Sequence, residues 1–161
     1  MPGPNGPLAV ALWVITGPPA GGKTTWVRQH ARPGDIVIDL DAIAGALTAG
    51  PPTHQHAKPV LRCAQRARSV AIDEALKHTH RCDVYVIHMQ PEPRHLARYA
   101  QHGAQVVTVD PGREVVEQRA RDERPPGTLA VVARWYAKRP APASVTPSDS
   151  DRPRAVHSRS W

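Results

Sequence analysis

Continuous apolar runs of strand length alternate with segments of helical periodicity along this chain. An apolar run without polar alternation is typical of a strand that is covered on both faces of a parallel sheet. Such runs predict strands at 8–16, 35–41, 83–89 and 104–110. Helices are predicted from Lys23 to the "RPG" at 32–34 and over 42–50, 60–78, 93–102, 113–123 and 128–139. The alternation predicts a three-layer α/β fold: a mostly parallel sheet of four or five strands lies between helices, with the ligand at the carboxyl ends of the strands.

The two ends of the chain differ from the segment between them. Residues 1–7 and 140–161 are rich in Pro, Ser and Gly and poor in aliphatic residues, so we expect a disordered N-terminus, a folded domain over 8–139 and a disordered C-terminal tail. No apolar run reaches the roughly 20 residues of a membrane span, and the N-terminus lacks the features of a signal peptide, so no membrane partner is expected.

Charge and cysteine content narrow the function classes. The formal net charge is +7 and the pI is about 10.1, which favours an anionic partner such as nucleic acid or a nucleotide, although a solvated basic surface explains the charge equally well. Cys63 and Cys82 fit no zinc spacing, which indicates reduced thiols and a cytoplasmic setting.

The segment "GPPAGGKT" at 17–24 fits the phosphate-binding pattern G-x-x-x-x-G-K-[ST] between a predicted strand and a predicted helix. Glycines let backbone N–H groups approach phosphate oxygens, and the helix N-terminus favours negative charge. Lys23 would bridge the β- and γ-phosphates, and the Thr24 hydroxyl would reach Mg²⁺. The sequence thus predicts binding of ATP or GTP with Mg²⁺; the alternative is a structural turn with a surface lysine. The predicted cofactor-binding loop comprises Gly17, Pro18, Pro19, Ala20, Gly21, Gly22, Lys23, Thr24 and Thr25.

Two carboxylates lie near the carboxyl end of the second predicted strand, in "IDLD". We expect Asp39 and Asp41 to point to one side beside the phosphate loop, Asp39 with Thr24 as the metal-holding pair and Asp41 as the group that accepts a proton from an attacking hydroxyl. The alternative is that Asp41 caps the following helix and Asp39 is solvated. Asp110, before "PG", is predicted to cap a helix. The third predicted strand ends in "IHMQ", and the fourth ends in Asp110, to which the capping role is given, so neither supplies the acidic residue that motor ATPases use; this favours a kinase.

Arginines gather before and on the last predicted helix. Arg119, Arg121 and Arg124 lie in "EQRARDERPPG", and Arg134 follows. We expect an arginine-bearing lid, in which at least one of the four contacts phosphate or adenine; the alternative is a solvated helix with i, i+4 ion pairs. His88 is a candidate for substrate contact, whereas His54-x-His56 and His78-x-His80 lack partners at metal-ligand spacing.

The segments "GPPAGGKTT", "DLDAI" and R-x-R-x-x-R resemble those of the small P-loop kinases grouped with polynucleotide 5′-hydroxyl kinase, the zeta toxins and chloramphenicol phosphotransferase, a group frequent in phages and actinobacteria. The resemblance covers about residues 8–139 and implies a P-loop NTPase/kinase fold in the cytoplasm of a bacterial or phage-infected cell. It implies catalytic roles for Lys23, Asp41 as general base, and Arg119, Arg121 or Arg124 in the lid, with Thr24 on magnesium.

One position departs from that resemblance. Polynucleotide kinases carry a phosphate-binding arginine three residues after the base, and that residue here is Ala44. The expected function is an ATP-dependent kinase that phosphorylates a hydroxyl of a nucleic acid or nucleotide, including a modified base or internal hydroxyl, as in phage hydroxymethyluracil-DNA kinases. The alternatives are a kinase of an antibiotic or metabolite, and a P-loop ATPase or NTP-binding module without a phosphoacceptor.

Overall fold

Four parallel strands form the sheet of the computed structural model, which describes residues 10–51 and 53–139. The strand order is β2-β3-β1-β4, and each neighbouring pair is parallel, so the four carboxyl ends meet at one edge. The α/β fold with a parallel sheet flanked by helices is therefore confirmed, with four strands, and the predicted tails lie outside the described residues. The strands are β1 (Leu12–Thr16), β2 (Ile36–Ile38), β3 (Val84–Ile87) and β4 (Gln105–Thr108).

Within the described residues, six α-helices connect and cover the strands. α3 is the longest of the described helices, and a 3₁₀ turn at Leu76–His78 extends it. None of the helices in the described ranges combines the length and apolar character needed to cross a membrane. The helices are α1 (Lys23–His30), α2 (Leu40–Leu47), α3 (Lys58–Ala75), α4 (Pro93–Ala100), α5 (Arg113–Glu123) and α6 (Thr128–Lys138).

Alternate residues of the central strands pack on opposite faces of the sheet. Leu12 and Val14 of β1 belong to a core cluster with Ile72 of α3, while Ile15 packs with Val27 of α1 on the other face. Burying an aliphatic side chain of this size contributes about 1.5–3 kcal/mol. Continuous apolar runs are therefore what a sheet between two helical layers requires.

The strand that precedes the two carboxylates is shorter than the sequence predicts. β2 ends at Ile38, and Asp39 is the N-cap of α2, where its Oδ1 accepts a hydrogen bond from the Asp41 backbone N–H at 3.1 Å. Asp41 therefore lies in the first turn of α2, and the expectation that both carboxylates end a strand is wrong. The alternative of Asp41 as the cap is wrong as well. The cause is local, because an Asp that satisfies an unpaired N–H starts a helix efficiently.

Asp110 ties the last helix to the end of β4. The N-cap of α5 is Gly112, which makes no side-chain cap bond, so the predicted capping role of Asp110 is wrong. The carboxylate instead accepts hydrogen bonds from the Gly112 N–H at 3.0 Å and the Tyr136 hydroxyl at 2.6 Å, and it pairs with Arg139. These contacts attach α6 near the carboxyl edge of the sheet, where the candidate site lies.

Candidate functional site

The loop between β1 and α1 packs closely against the chain after β4. Gly17 has a φ of +144°, and a Cβ at this position would lie 2.2 Å from the carbonyl oxygen of Val109. A Cβ at Gly21 would lie 3.0 Å from the same oxygen and 2.9 Å from that of Pro18. Gly22 and Ala20 also have positive φ, of 95° and 58°. The backbone path therefore depends on glycine at Gly17, which is the physical reason for the spacing in the motif.

Lys23 folds over this loop. Its Nζ donates hydrogen bonds to the carbonyl oxygens of Gly17, at 2.9 Å, and Pro18, at 2.7 Å. The pKa of Lys23 is lowered to about 8, chiefly by burial and also by the nearby charge of Arg124, while Asp39 and Asp41 oppose the shift. The ammonium thus lies in a poorly solvated place among charges of both signs, close to both aspartates.

The predicted metal-holding pair is brought together at the start of α1. The Thr24 Oγ1 donates a hydrogen bond to Asp39 Oδ2 at 3.1 Å. Hydroxyl and carboxylate oxygens are the ligands that Mg²⁺ prefers, alongside water and phosphate oxygens. Within the described residues there is no cluster of three or more His, Cys, Asp or Glu that could hold a metal by itself. The pair therefore fits a metal that is also held by phosphates.

Asp41 faces the phosphate loop from α2, and its side chain is 53% exposed. Three cationic or potentially cationic groups surround it: His54 Nδ1 at 3.7 Å, His56 Nε2 at 3.8 Å and Arg124 NH1 at 4.0 Å. The side chain of His56 is only 2% exposed, and its two ring nitrogens have no hydrogen-bond partner in the described part of the chain. Sequence reasoning dismissed these histidines as metal ligands and missed their proximity to Asp41.

Two of the four predicted lid arginines lie in the cleft. Arg119 NH1 is 3.6 Å from the position that a Cβ at Gly22 would take, and Arg124 NH1 lies 2.8 Å from His54 Nδ1. Arg121 instead pairs with Glu117 Oε2 at 3.5 Å on the exposed side of α5. Two residues along a helix amount to about 200° of rotation, so Arg119 and Arg121 cannot face the same cleft.

Arg124 reaches the cleft because α5 ends before it and its backbone is extended, with φ −126° and ψ 156°. Arg134 lies on an exposed part of α6 and is not among the residues that line the cleft. The structure therefore does not bring Arg121 and Arg134 to the site at which the sequence placed them.

The cleft has a volume of about 890 Å³ at the carboxyl edge of the sheet. Gly17 and Pro18 are buried beneath its wall, where their carbonyl oxygens hold Lys23. The predicted site residues that line the cleft are Pro19, Ala20, Gly21, Gly22, Lys23, Thr24, Thr25, Asp39, Asp41, Arg119 and Arg124.

Arg68 and His88 line the side of the cleft near the end of β3. The NH2 of Arg68 donates a hydrogen bond to the carbonyl oxygen of Ile87 at 2.8 Å, and its buried Nε has no partner among the described residues. His88 Nε2 lies 2.9 Å from the Tyr99 hydroxyl. Sequence reasoning proposed His88 but missed Arg68. A signal was present, because Arg68 stands four residues after Ala64 and four before Ile72 on the buried stripe of α3.

Comparison with known proteins places this fold and motif in a family. The family model described as an AAA domain, AAA_33, matches residues 12–142. Among solved structures, a chain in the structure of the Pnkp1/Rnl/Hen1 complex is similar with a TM-score of 0.52 and 13% identity, over 75% of this chain and 43% of that one. This chain therefore spans less than half the length of that chain, and the likeness concerns the fold. The search of curated proteins found no match. Because the family model covers most of the chain, the protein belongs to the AAA domain family AAA_33, a P-loop, kinase-like group.

Proposed function

We propose that this protein is a Mg²⁺-dependent kinase that transfers the γ-phosphate of ATP or GTP to a hydroxyl of a nucleic acid or nucleotide. The observation that carries the proposal is the position of Asp41. Its carboxylate lines the same cleft as Lys23 and Thr24, so a hydroxyl can stand between a proton acceptor and a phosphate-binding loop.

The residues of the loop fit a triphosphate bound with Mg²⁺. The close approach of Gly17 and Gly21 to the Val109 carbonyl leaves no room for side chains, and the loop leads directly into the N-terminus of α1. The residues that would hold the metal are Thr24 and Asp39. When bound, ATP supplies the phosphoryl group, and Mg²⁺ neutralises charge on its oxygens.

The chain contributes positioning, charge and a proton acceptor. Asp41 accepts the proton of the acceptor hydroxyl while that oxygen bonds to the γ-phosphorus and the bond to the bridging oxygen of the departing nucleoside diphosphate breaks. Lys23 and Arg119 place positive charge beside the loop. The charge of Arg124 also acts on Lys23, and its NH1 lies 4.0 Å from Asp41 Oδ2. Preorganised cations of this kind stabilise the charge that develops on the transferring group.

Charge favours a nucleic acid or nucleotide as the acceptor. The chain carries a net +7, and the motif resemblance to polynucleotide kinases points in the same direction. A basic surface attracts phosphates without sequence preference and makes their binding dependent on salt. An uncharged antibiotic or metabolite would gain no binding affinity from this charge.

Transfer of label from γ-labelled ATP tests the proposal. The full-length protein is incubated with Mg²⁺ and, separately, with DNA, RNA, hydroxymethyluracil-containing DNA, a nucleoside panel and no acceptor. We expect label on a nucleic acid or nucleotide, and we expect Asp41→Asn to lower the rate by a factor of about 10²–10⁴ with ATP binding retained, because it removes the proton acceptor.

Asp122→Asn is the matched control, because Asp122 is an exposed carboxylate on α5 whose hydrogen bonds come from Gln118. This variant should transfer label at the wild-type rate. Unchanged transfer in Asp41→Asn would remove Asp41 from its role. Phosphate release to water with no labelled acceptor would indicate an ATPase, and label confined to uncharged small molecules would indicate a small-molecule kinase.

A further inference from the structure

Arg68 is a cationic side chain that turns from α3 into the cleft. It occupies the buried stripe of the helix between Ala64 and Ile72, whereas its neighbours Arg62 and Arg66 are exposed. Its NH2 donates to the carbonyl oxygen of Ile87, the last residue of β3, at 2.8 Å. Packing of α3 on the sheet therefore fixes the guanidinium at the carboxyl edge.

The guanidinium of Arg68 has no carboxylate within ion-pair distance in the described ranges of the chain. Its Nε is buried without a hydrogen-bond partner there. The titratable groups close enough to interact with its charge are the Tyr99 hydroxyl, the His88 ring and the Asp39 carboxylate. Buried charges in proteins are usually paired, and arginine keeps its charge when it is buried, so an unpaired guanidinium on a cleft wall favours an anionic ligand.

The strand register shows on which side of the cleft Arg68 lies. Ile38 of β2 pairs with Val86 of β3, so Asp39 follows β2 beside Ile87, whose carbonyl holds Arg68. The phosphate loop follows β1 on the other side of β3, where Lys23 and Arg119 supply its positive charge. Arg68 therefore lies on the β2 side of the cleft, where Asp39 begins the helix that carries Asp41 and where the proposed function requires the acceptor.

We propose that Arg68 is an acceptor-binding residue that recognises a phosphate group on the molecule to be phosphorylated. This inference rests on the proposed function and narrows its substrate class. The acceptor is a nucleotide or a polynucleotide that carries a phosphate near the reacting hydroxyl, and an uncharged acceptor lacks the group that Arg68 binds. The planar guanidinium can offer parallel N–H donors to two phosphate oxygens.

Equilibrium binding tests this inference without turnover. Calorimetric titration of the full-length protein, saturated with Mg²⁺ and a non-hydrolysable ATP analogue, compares thymidine 3′-monophosphate with thymidine. We expect the phosphate to improve binding by about tenfold or more, the equivalent of one charge-assisted hydrogen bond. Arg68→Gln should reduce this preference to less than about twofold, because glutamine is polar but carries no charge.

Two further variants separate the role of Arg68 from net charge and folding. Arg66→Gln removes the same charge from an exposed position of α3 and should keep the wild-type preference for the phosphate. Arg68→Lys keeps the charge and should keep part of the preference, and circular dichroism checks that each variant is folded. If Arg68→Gln does not fold, the wild-type preference and its partial loss in Arg68→Lys decide the question.

Equal binding of both probes by the wild type would overturn the inference. So would an Arg68→Gln variant that loses affinity for the ATP analogue and keeps its preference for the phosphate, because Arg68 would then serve the nucleotide. The two proposals can fail independently, and the experiments distinguish which one has failed. Phosphate-dependent binding without label transfer would refute the kinase and leave the subsite, whereas transfer to an uncharged acceptor that does not depend on Arg68 would refute the subsite alone.

Discussion

His88 should make the stability of this protein depend on pH. The ring is buried directly after β3, and its Nε2 lies 2.9 Å from the Tyr99 hydroxyl. Burial lowers the pKa of His88 from 6.5 to about 3, and the neighbouring charges of Arg68 and His95 act in the same direction. The native ring therefore stays neutral down to about pH 3, whereas in the unfolded chain it takes up a proton below about pH 6.5.

The sign and size of the effect follow from proton linkage. A histidine whose folded pKa is depressed contributes stability above pH 6.5, and that stability is lost progressively as the pH falls toward about 3. One proton of difference changes the free energy of unfolding by about 1.4 kcal/mol per pH unit, which amounts to about 2 kcal/mol between pH 7 and pH 5 with these pKa values. Replacing His88 by glutamine, which can still meet the Tyr99 hydroxyl, should remove this dependence.

Urea unfolding followed by circular dichroism at pH 7, 6 and 5 measures the difference. We expect the free energy of unfolding of His88→Gln to fall by about 2 kcal/mol less than that of the wild type between pH 7 and pH 5. His102→Gln, which removes an exposed histidine, should keep the wild-type dependence. Parallel pH profiles for the wild type and His88→Gln would refute the reasoning, because the buried ring would then titrate alike in both states.

The strands could be predicted from sequence because their signal is local and strong. A run such as β1, covered on both faces by α1 and α3, has to be apolar throughout. The end of β2 could not be predicted, because the apolar Leu40 continues the run while the cap at Asp39 starts a helix. Apolar periodicity does not describe the competition between a strand and a side chain that satisfies a helix N-terminus.

The site residues, like the elements of the fold, include some that the sequence could predict and some that it could not. The phosphate loop is contiguous, so its residue types and order are sufficient to locate it. Asp39 and Asp41 could be proposed because they follow the next apolar run along the chain, although β3 lies between β2 and β1 in the sheet. Arg68 and the two histidines near Asp41 depend on how α3 and the loop before it pack on the sheet. Ala44, at which the sequence lacks an expected arginine, is fully buried in α2, which packs against α3. Arg68, on the facing helix, is the residue that we propose binds an acceptor phosphate in its stead.

Two further substitutions test the backbone of the phosphate loop and the hydrogen bond that attaches α6 beside it. Gly17→Ala should abolish detectable binding of a fluorescent ATP analogue, because its Cβ would lie 2.2 Å from the Val109 carbonyl oxygen at a φ of +144°. Gly34→Ala, also at positive φ but without a described neighbour within 4 Å, should still bind. Tyr136→Phe should lower the free energy of unfolding in urea by about 1–3 kcal/mol, because it removes the hydroxyl that donates to Asp110 at 2.6 Å. Asp110 directly follows Val109, whose carbonyl oxygen packs against Gly17 of the phosphate loop. The same variant should therefore weaken nucleotide binding. Wild-type stability together with wild-type affinity would show that α6 is held in place without this hydrogen bond.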